Sequence, residues 1–268
     1  MIQVERIAVT FHRGTPMETP ALRGLDLAIP AGQFVTVIGS NGAGKSTLLN
    51  VLTGDAAVGE GRVVIDEQDV TDWSPPRRAA LVARVFQDPL AGSCADLSIE
   101  ENLALAGARG MRRGLTLAVD RSRREIFRDR LRRLGLGLEN RLGDRMGLLS
   151  GGQRQAVSLL MATLRPMKIL LLDEHTAALD PKTAEFVLDL TRRIVGEQKL
   201  TTLMVTHSMR QALDYGERTL MLHEGRVVLD VAGDERKGLD VPDLLALFAR
   251  HRDQAHGQTL ADDSLLLG

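Results

Sequence analysis

From Ile2 to Gly32 apolar and polar residues alternate, with turn residues between the runs ("IQVERIAVTF", "LRGLDLAI"), the period of short antiparallel strands with one buried face. The pattern then changes. "FVTVIG", residues 34–39, is apolar without alternation and reads as a buried strand, and residues 45–52 read as a helix closed by Gly54. "GRVVIDEQDV" reads as a hairpin with Asp66 and Glu67 near its turn. After Gln87 the texture becomes helical: "SIEENLALAG" starts from an N-cap at Ser98, and a long arginine-rich stretch occupies 109–133. From Ile169 onward strands and helices alternate again, as "ILLLD", a helix over 181–195, "TTLMVTH" and "TLMLHEG", which predicts βα units and a parallel sheet. The expectation is one nucleotide-type α/β core interrupted by a helical insert. The last thirty or so residues read as an amphipathic helix, "VPDLLALFAR", and a polar tail of no evident function.

Composition narrows the partners. With 268 residues the chain can bury a full core, as one large domain or a domain with a subdomain. Its 34 basic and 35 acidic residues nearly cancel, so the overall field gives no reason to expect nucleic acid as a partner. Aromatic residues make up only 3%, little material for base stacking. The 109–133 stretch has ten arginines against Asp120, Glu125 and Asp129, and its default reading is a solvated helix face rather than a lipid or nucleic-acid patch. Cys94 is the only cysteine, which excludes an intrachain disulfide and suits a reducing compartment; it reads as a small filler residue. The N-terminus has charges within its apolar pattern and does not look like a signal peptide. No apolar run approaches the roughly 20 residues that cross a bilayer, so work at a membrane would need another chain.

Against this background four segments carry chemistry. "GSNGAGKST", residues 39–47, comes after a strand and opens a helix, the context of a phosphate-binding loop. Gly39, Gly42 and Gly44 allow close backbone approach; with Ser40, Asn41, Ala43 and Thr47 they form the cradle of N–H groups, Lys45 reaches the terminal phosphates, and the Ser46 hydroxyl ligates Mg²⁺. Asp173 ends "ILLLD" at the carboxyl edge of a parallel sheet, where such sheets bind ligands, and can hold Mg²⁺ directly or through water. Glu174, one residue on, can polarise a water toward a γ-phosphate. His207 ends "TTLMVTH" at the same kind of edge and can donate a hydrogen bond to that phosphate. "LSGGQRQ", residues 149–155, is a second phosphate-binding candidate, with Ser150 as N-cap, exposed N–H groups at Gly151 and Gly152, then Gln153.

The "LSGGQRQ" string resembles the signature of the ABC ATPase family, and the resemblance covers nearly everything from Val4 to about Val231. It implies a P-loop NTPase (RecA-like) α/β core with a mostly parallel sheet, an N-terminal antiparallel β subdomain and an inserted α-helical subdomain. The implied limits are an ATPase domain over 1–235, with core 1–88 and 166–235 around an insert at 89–165, then a C-terminal helix and tail over 236–268. It further implies that Gln87 in "VFQDP" is the Q-loop glutamine, touching Mg²⁺ or the lytic water, and that Asp180 in "AALD" is the D-loop aspartate. An aromatic stacks on adenine, for which Phe11 is the candidate, a core phenylalanine being the other reading. Asp180 also reads as the N-cap of the helix that begins at Pro181. Family members usually carry proline where this chain has His175, so that residue is given no catalytic role, although a titratable ring beside Glu174 could alter the latter's pKa.

By the same resemblance the chain is an ATP- and Mg²⁺-using subunit that pairs with a second ATPase subunit in a head-to-tail sandwich of two ATP molecules, a homodimer being the expected form. Its partners would be integral-membrane permease subunits docking near Gln87 and an extracytoplasmic substrate-binding protein, at the cytoplasmic face of the cell (inner) membrane. The look of "DEHTAALDP" and "LSIEENLALAG" is similar to importer ATPases paired with branched-chain-amino-acid-type permeases, some of them linked to aromatic amino acid uptake. An exporter or lipid-extraction ATPase would share every motif. A soluble ABC protein of DNA repair or translation would need a long coiled coil, zinc cysteines or a second ATPase unit, none of which fits one cysteine and one phosphate loop.

Overall fold

The structure, a computed structural model, describes residues 1–111 and 118–255; Arg112, Arg113 and the polar tail lie outside them. In chain order the elements are β1 (Ile2–Phe11), β2 (Thr19–Ile29), β3 (Phe34–Ile38), α1 (Lys45–Thr53), β4 (Glu60–Ile65), β5 (Gln68–Asp69), α2 (Pro75–Arg78), β6 (Val82–Val85), α3 (Ile99–Gly107) and α4 (Arg121–Arg132). They continue with α5 (Gly151–Thr163), β7 (Ile169–Asp173), α6 (Pro181–Gln198), β8 (Thr202–Val205), α7 (Met209–Asp214), β9 (Arg218–His223), β10 (Arg226–Ala232), α8 (Gly233–Arg236) and α9 (Val241–Ala255). The chain divides into two compact units, Met1–Arg78 with Lys199–Gly268, and Ala79–Gln198.

In the first unit the alternating N-terminal segment forms an antiparallel sheet in the order β2-β1-β4-β5. The β4–β5 hairpin turns at Asp66 and Glu67, both with positive φ. The strands β10-β9-β3-β8 lie side by side, with β3 parallel to both β8 and β9. All five residues of β3 are buried, which is why "FVTVI" shows no alternation: a parallel strand covered on both faces has no polar side. Arg236 ties the C-terminal part to this core. Its guanidinium donates to the carbonyls of Ala212, Leu213 and Tyr215 at 2.8, 2.8 and 3.1 Å, supplying donors to carbonyls that the C-terminal end of α7 leaves without helical partners. Leu244 and Phe248 of α9 are buried with Ile38, Met209 and Ala212, so this helix packs under the residue that precedes the glycine-rich loop.

In the second unit β6 and β7 pair in parallel, with Val85 opposite Leu172. The segments after these two strands therefore leave at a common edge. Helix α3 starts with a capping box between Ser98 and Glu101. Helix α4 buries only Phe127 and Leu131, and its arginines make exposed ion pairs such as Arg124 to Glu100 at 2.6 Å and Arg132 to Asp129 at 2.7 Å, so its described residues present a solvated face.

Candidate nucleotide site

Gly44 is the N-cap of helix α1; its φ of 102° lies in the left-handed region, and no side-chain cap hydrogen bond closes the helix N-terminus. The glycine is needed twice. A side chain there would be strained and would meet the Ala21 carbonyl oxygen at 2.7 Å. Gly39 is equally constrained, because a Cβ would collide with the Leu222 carbonyl oxygen. The Lys45 ammonium, buried to 6% exposure, donates to the carbonyls of Gly39 at 2.6 Å and Ser40 at 3.0 Å, so the cation lies over its own loop. Asn41, Gly42 and Ser46 are exposed, and nothing lies within 4 Å of where a Gly42 side chain would stand. A helix start without a side-chain cap, a cation held above it and open space at the bend fit a polyphosphate.

Strand β8 pairs in parallel with β3, so the chain leaves both at one edge. The strand is shorter than "TTLMVTH" suggested. It stops at Val205, and His207 stands exposed on the turn beyond. Thr206 and Ser208 set that turn: the Thr206 hydroxyl donates to Gln211 Oε1 at 2.8 Å and accepts from the Ser208 N–H at 3.1 Å, while Ser208 caps α7.

In the second unit, Gln87 leaves β6 and the pair Asp173, Glu174 ends β7, at that unit's common edge. Gln87 is exposed, and both carboxylates are partly buried. Glu174 has φ of 45°, a left-handed conformation that a residue other than glycine adopts at a cost of about 1–3 kcal/mol when surrounding structure enforces it. Asp173 is not bare: Arg84 of β6 donates to its Oδ2 at 2.5 Å. Among the described residues no group of three or more His, Cys, Asp or Glu side chains is placed to hold a metal ion by itself. The oxygen donors expected at Ser46, Gln87 and Asp173 are of the kind Mg²⁺ takes, since that ion is held through one or two carboxylates together with substrate phosphates.

"LSGGQRQ" forms the start of α5. Ser150 closes a capping box, its Oγ accepting from the Gln153 N–H at 3.3 Å and its N–H donating to Gln153 Oε1 at 3.2 Å, which leaves the hydroxyl proton to donate elsewhere. Ser150 and Gly151 are exposed, and Gly152 packs so closely on Thr183 of α6 that a Cβ would clash with its methyl group. Asp180 does cap α6, accepting from the Thr183 N–H at 3.1 Å, and hydrogen bonding from the Thr183 side chain first and its N–H second holds its pKa below the ordinary value. Phe11 ends β1 and is 40% exposed, so it is not a core phenylalanine. Cys94 is exposed too, which does not suit its reading as a small filler residue.

His175 answers to the core rather than to Glu174. Its Nε2 meets the Thr191 hydroxyl at 3.0 Å, and since that hydroxyl donates to the Val187 carbonyl at 2.8 Å, the ring nitrogen is the donor. Burial pushes its pKa down to about 4. Below the ordinary value of 6.5 the unfolded chain takes up a proton that the folded chain refuses, so this contribution to stability is complete above 6.5 and is lost as pH falls toward 4. We expect His175→Pro to keep turnover within a few-fold and to remove about 2 kcal/mol of the stability loss between pH 7 and pH 5. Urea unfolding at the two pH values, beside a phosphate-release assay, checks both.

Sequence reasoning missed two residues. Arg84 was legible as a charge inside the buried run "LVARVF"; Gln155, fully buried, donates to the Phe86 carbonyl at 3.1 Å and so ties α5 to the segment that carries Gln87.

The family described as ABC transporter matches residues 22–177. A tyrosine transport ATP-binding protein of Clostridioides difficile is 42% identical over 248 residues, 92% of this chain and 98% of that one. The thiamine import ATP-binding protein ThiQ of Salmonella choleraesuis is 38% identical over 209 residues, 78% and 84% of the two chains. Among solved structures, the dimeric post-hydrolysis state of the ATP-binding cassette MJ0796, bound to ADP and Pi, superposes with a TM-score of 0.74 at 29% identity over 87% of this chain and 98% of that one. The chain belongs to the ABC transporter family, as an ATP-binding subunit with the α/β fold of ABC cassettes, and it is an ATPase. Neither relative is named for branched-chain amino acids.

Proposed function

We propose that this chain powers import of a small solute, an aromatic amino acid being the substrate class favoured, through separate permease subunits and with an extracytoplasmic substrate-binding protein. The observation that carries the transport reading is the intact "LSGGQRQ" helix start, exposed at Ser150 and Gly151, in a chain that also has a complete Gly39–Thr47 loop. The amino acid class is supported by the relative named for tyrosine transport. No helix among the described residues is long and apolar enough to cross a membrane; in this reading the translocation path belongs to the permease subunits, and this subunit acts at the cytoplasmic face of the membrane. Branched-chain-type permeases remain the architecture proposed for the partner.

In this reading Lys45 and the loop amides from Gly39 to Thr47 grip the triphosphate, Phe11 stacks on adenine, and His207 donates to the terminal phosphate. Glu174 accepts a proton from the attacking water, with Gln87 orienting it. Ser46, Asp173 and Gln87 would hold Mg²⁺, which when bound neutralises charge on the phosphates. Ser150, Gly151, Gly152 and Gln153 close over the nucleotide held by a second copy, with Asp180 beside them, so ATP holds two chains together and its hydrolysis releases them. The domain limits proposed are 1–235 for the ATPase, with the insert at 89–165, and 236–268 for the C-terminal helix and tail.

The test is capture. A tagged chain drawn from detergent-solubilised membranes of its own cell should bring with it a polytopic permease whose substrate-binding protein binds tyrosine or a related aromatic amino acid. Recovery of an exporter-type membrane protein would reverse the direction, and recovery of soluble partners alone would end the transport reading.

A further inference from the structure

The partner of Asp173 is unusual in position. Arg84 is the third residue of the four-residue strand β6, in a run otherwise apolar, and its side chain is only 11% exposed beside the 14% exposed Asp173. Its guanidinium nitrogen lies 2.5 Å from Asp173 Oδ2, and its guanidinium carbon stands 4.8 Å over the Phe86 ring. Both strands that carry the pair are locked in register, Arg84 opposite Leu171 and Val85 opposite Leu172. An arginine never deprotonates in a protein, so the charge of Asp173 is already compensated. A lysine could retract along its flexible stem, but a planar guanidinium stacked on an aromatic ring is held in place.

We propose that Arg84 is the resident counter-ion of the metal-binding carboxylate: it keeps Asp173 from capturing a free divalent cation and makes metal binding wait for a cation that arrives already bound to ATP. The inference rests on the reading of Asp173 as a metal-holding residue. Its physical content is competition between two cations for one carboxylate, in a setting where water screens the pair poorly. The guanidinium must yield part of its hold on Oδ2 when the metal comes. Phosphate oxygens, which add negative charge beside the metal, make that exchange favourable; a lone hydrated cation lacks them.

The experiment uses Mn²⁺ alone as the probe, monitored by its electron paramagnetic resonance signal on the full chain without nucleotide. Arg84→Met should bind Mn²⁺ about tenfold more tightly than the native chain, the size expected for removing one adjacent charge even at high effective dielectric. Arg84→Gln, which keeps a donor toward the carboxylate and loses only the charge, should show the same direction and guards against a fold defect in the methionine variant. In Arg84→Met combined with Asp173→Asn the gain should vanish. Mn²⁺ binding by both Arg84 variants that matches or falls below the native level overturns the proposal. The separate control is Asp173→Asn with ATP present. If the metal requirement for binding a fluorescent ATP analogue rises in that variant while the Arg84 variants show no gain, the counter-ion inference alone fails; if it does not change, the metal reading of Asp173 fails and takes the inference with it.

Discussion

Lys45→Ala is expected to reduce ATP hydrolysis at least about a thousandfold and ATP affinity at least about tenfold, with little change in melting temperature. The size comes from two losses at one atom. In the proposed function the ammonium is the charge that meets the terminal phosphates, and a charge-assisted hydrogen bond contributes about 1.5–3 kcal/mol. A preorganised cation aimed at charge that develops during phosphoryl transfer adds about 3–4 kcal/mol more in the transition state than in water. The structure adds a reason for the affinity loss. Lys45 donates to the carbonyls of Gly39 and Ser40, so the ammonium proposed to read the phosphates also holds the loop's bend. The fold itself does not depend on it, because the strand and helix on either side are anchored by buried Val37, Ile38, Leu48 and Leu49. Titration with a fluorescent ATP analogue and a coupled phosphate assay measure the two effects. Hydrolysis at the native rate would remove the basis for every role assigned to the loop.

How much of the fold and the site was legible in the sequence depends on whether the determining interaction is local. The loop, the capped helix starts at Ser98 and Ser150, and the buried strands "FVTVI" and "ILLLD" are each fixed by residues within one turn or one strand, so periodicity and spacing located them. His175 and Cys94 depended on neighbours distant in sequence. A histidine after two carboxylates looks like part of a site until its Nε2 is seen to be hydrogen-bonded to the Thr191 hydroxyl on the next helix. A lone cysteine in a loop has no pattern to say which way it faces. Arg84 is the more instructive omission. A charge in a buried strand is a violation of local pattern, and such violations concentrate at functional sites, yet its partner lies 89 positions away and only parallel pairing of β6 and β7 brings the two together.

Glu174→Gln should trap the ATP-bound state: hydrolysis slowed about a hundredfold or more, ATP retained, and a dimer accumulating in the presence of ATP and Mg²⁺ that the native chain forms only transiently. The substitution keeps size and shape, so the left-handed turn at φ of 45° that holds the residue and the neighbouring Asp173–Arg84 pair have no reason to change. What disappears is the acceptor proposed for the proton of the attacking water, and general-base catalysis is worth about a hundred- to ten-thousandfold. The contacts proposed to hold the triphosphate stay, among them Lys45 and the helix start of "LSGGQRQ" that in the proposed sandwich closes over the partner's nucleotide. Slow hydrolysis with intact binding shifts the population toward the closed pair, because in the proposed sandwich release of the two chains requires loss of the γ-phosphate contacts. Light scattering coupled to size exclusion, with and without ATP, reads the mass directly. A Glu174→Gln chain that stays monomeric at saturating ATP and Mg²⁺ would refute the sandwich, while a dimer that forms and hydrolyses at the native rate would move the base to another residue.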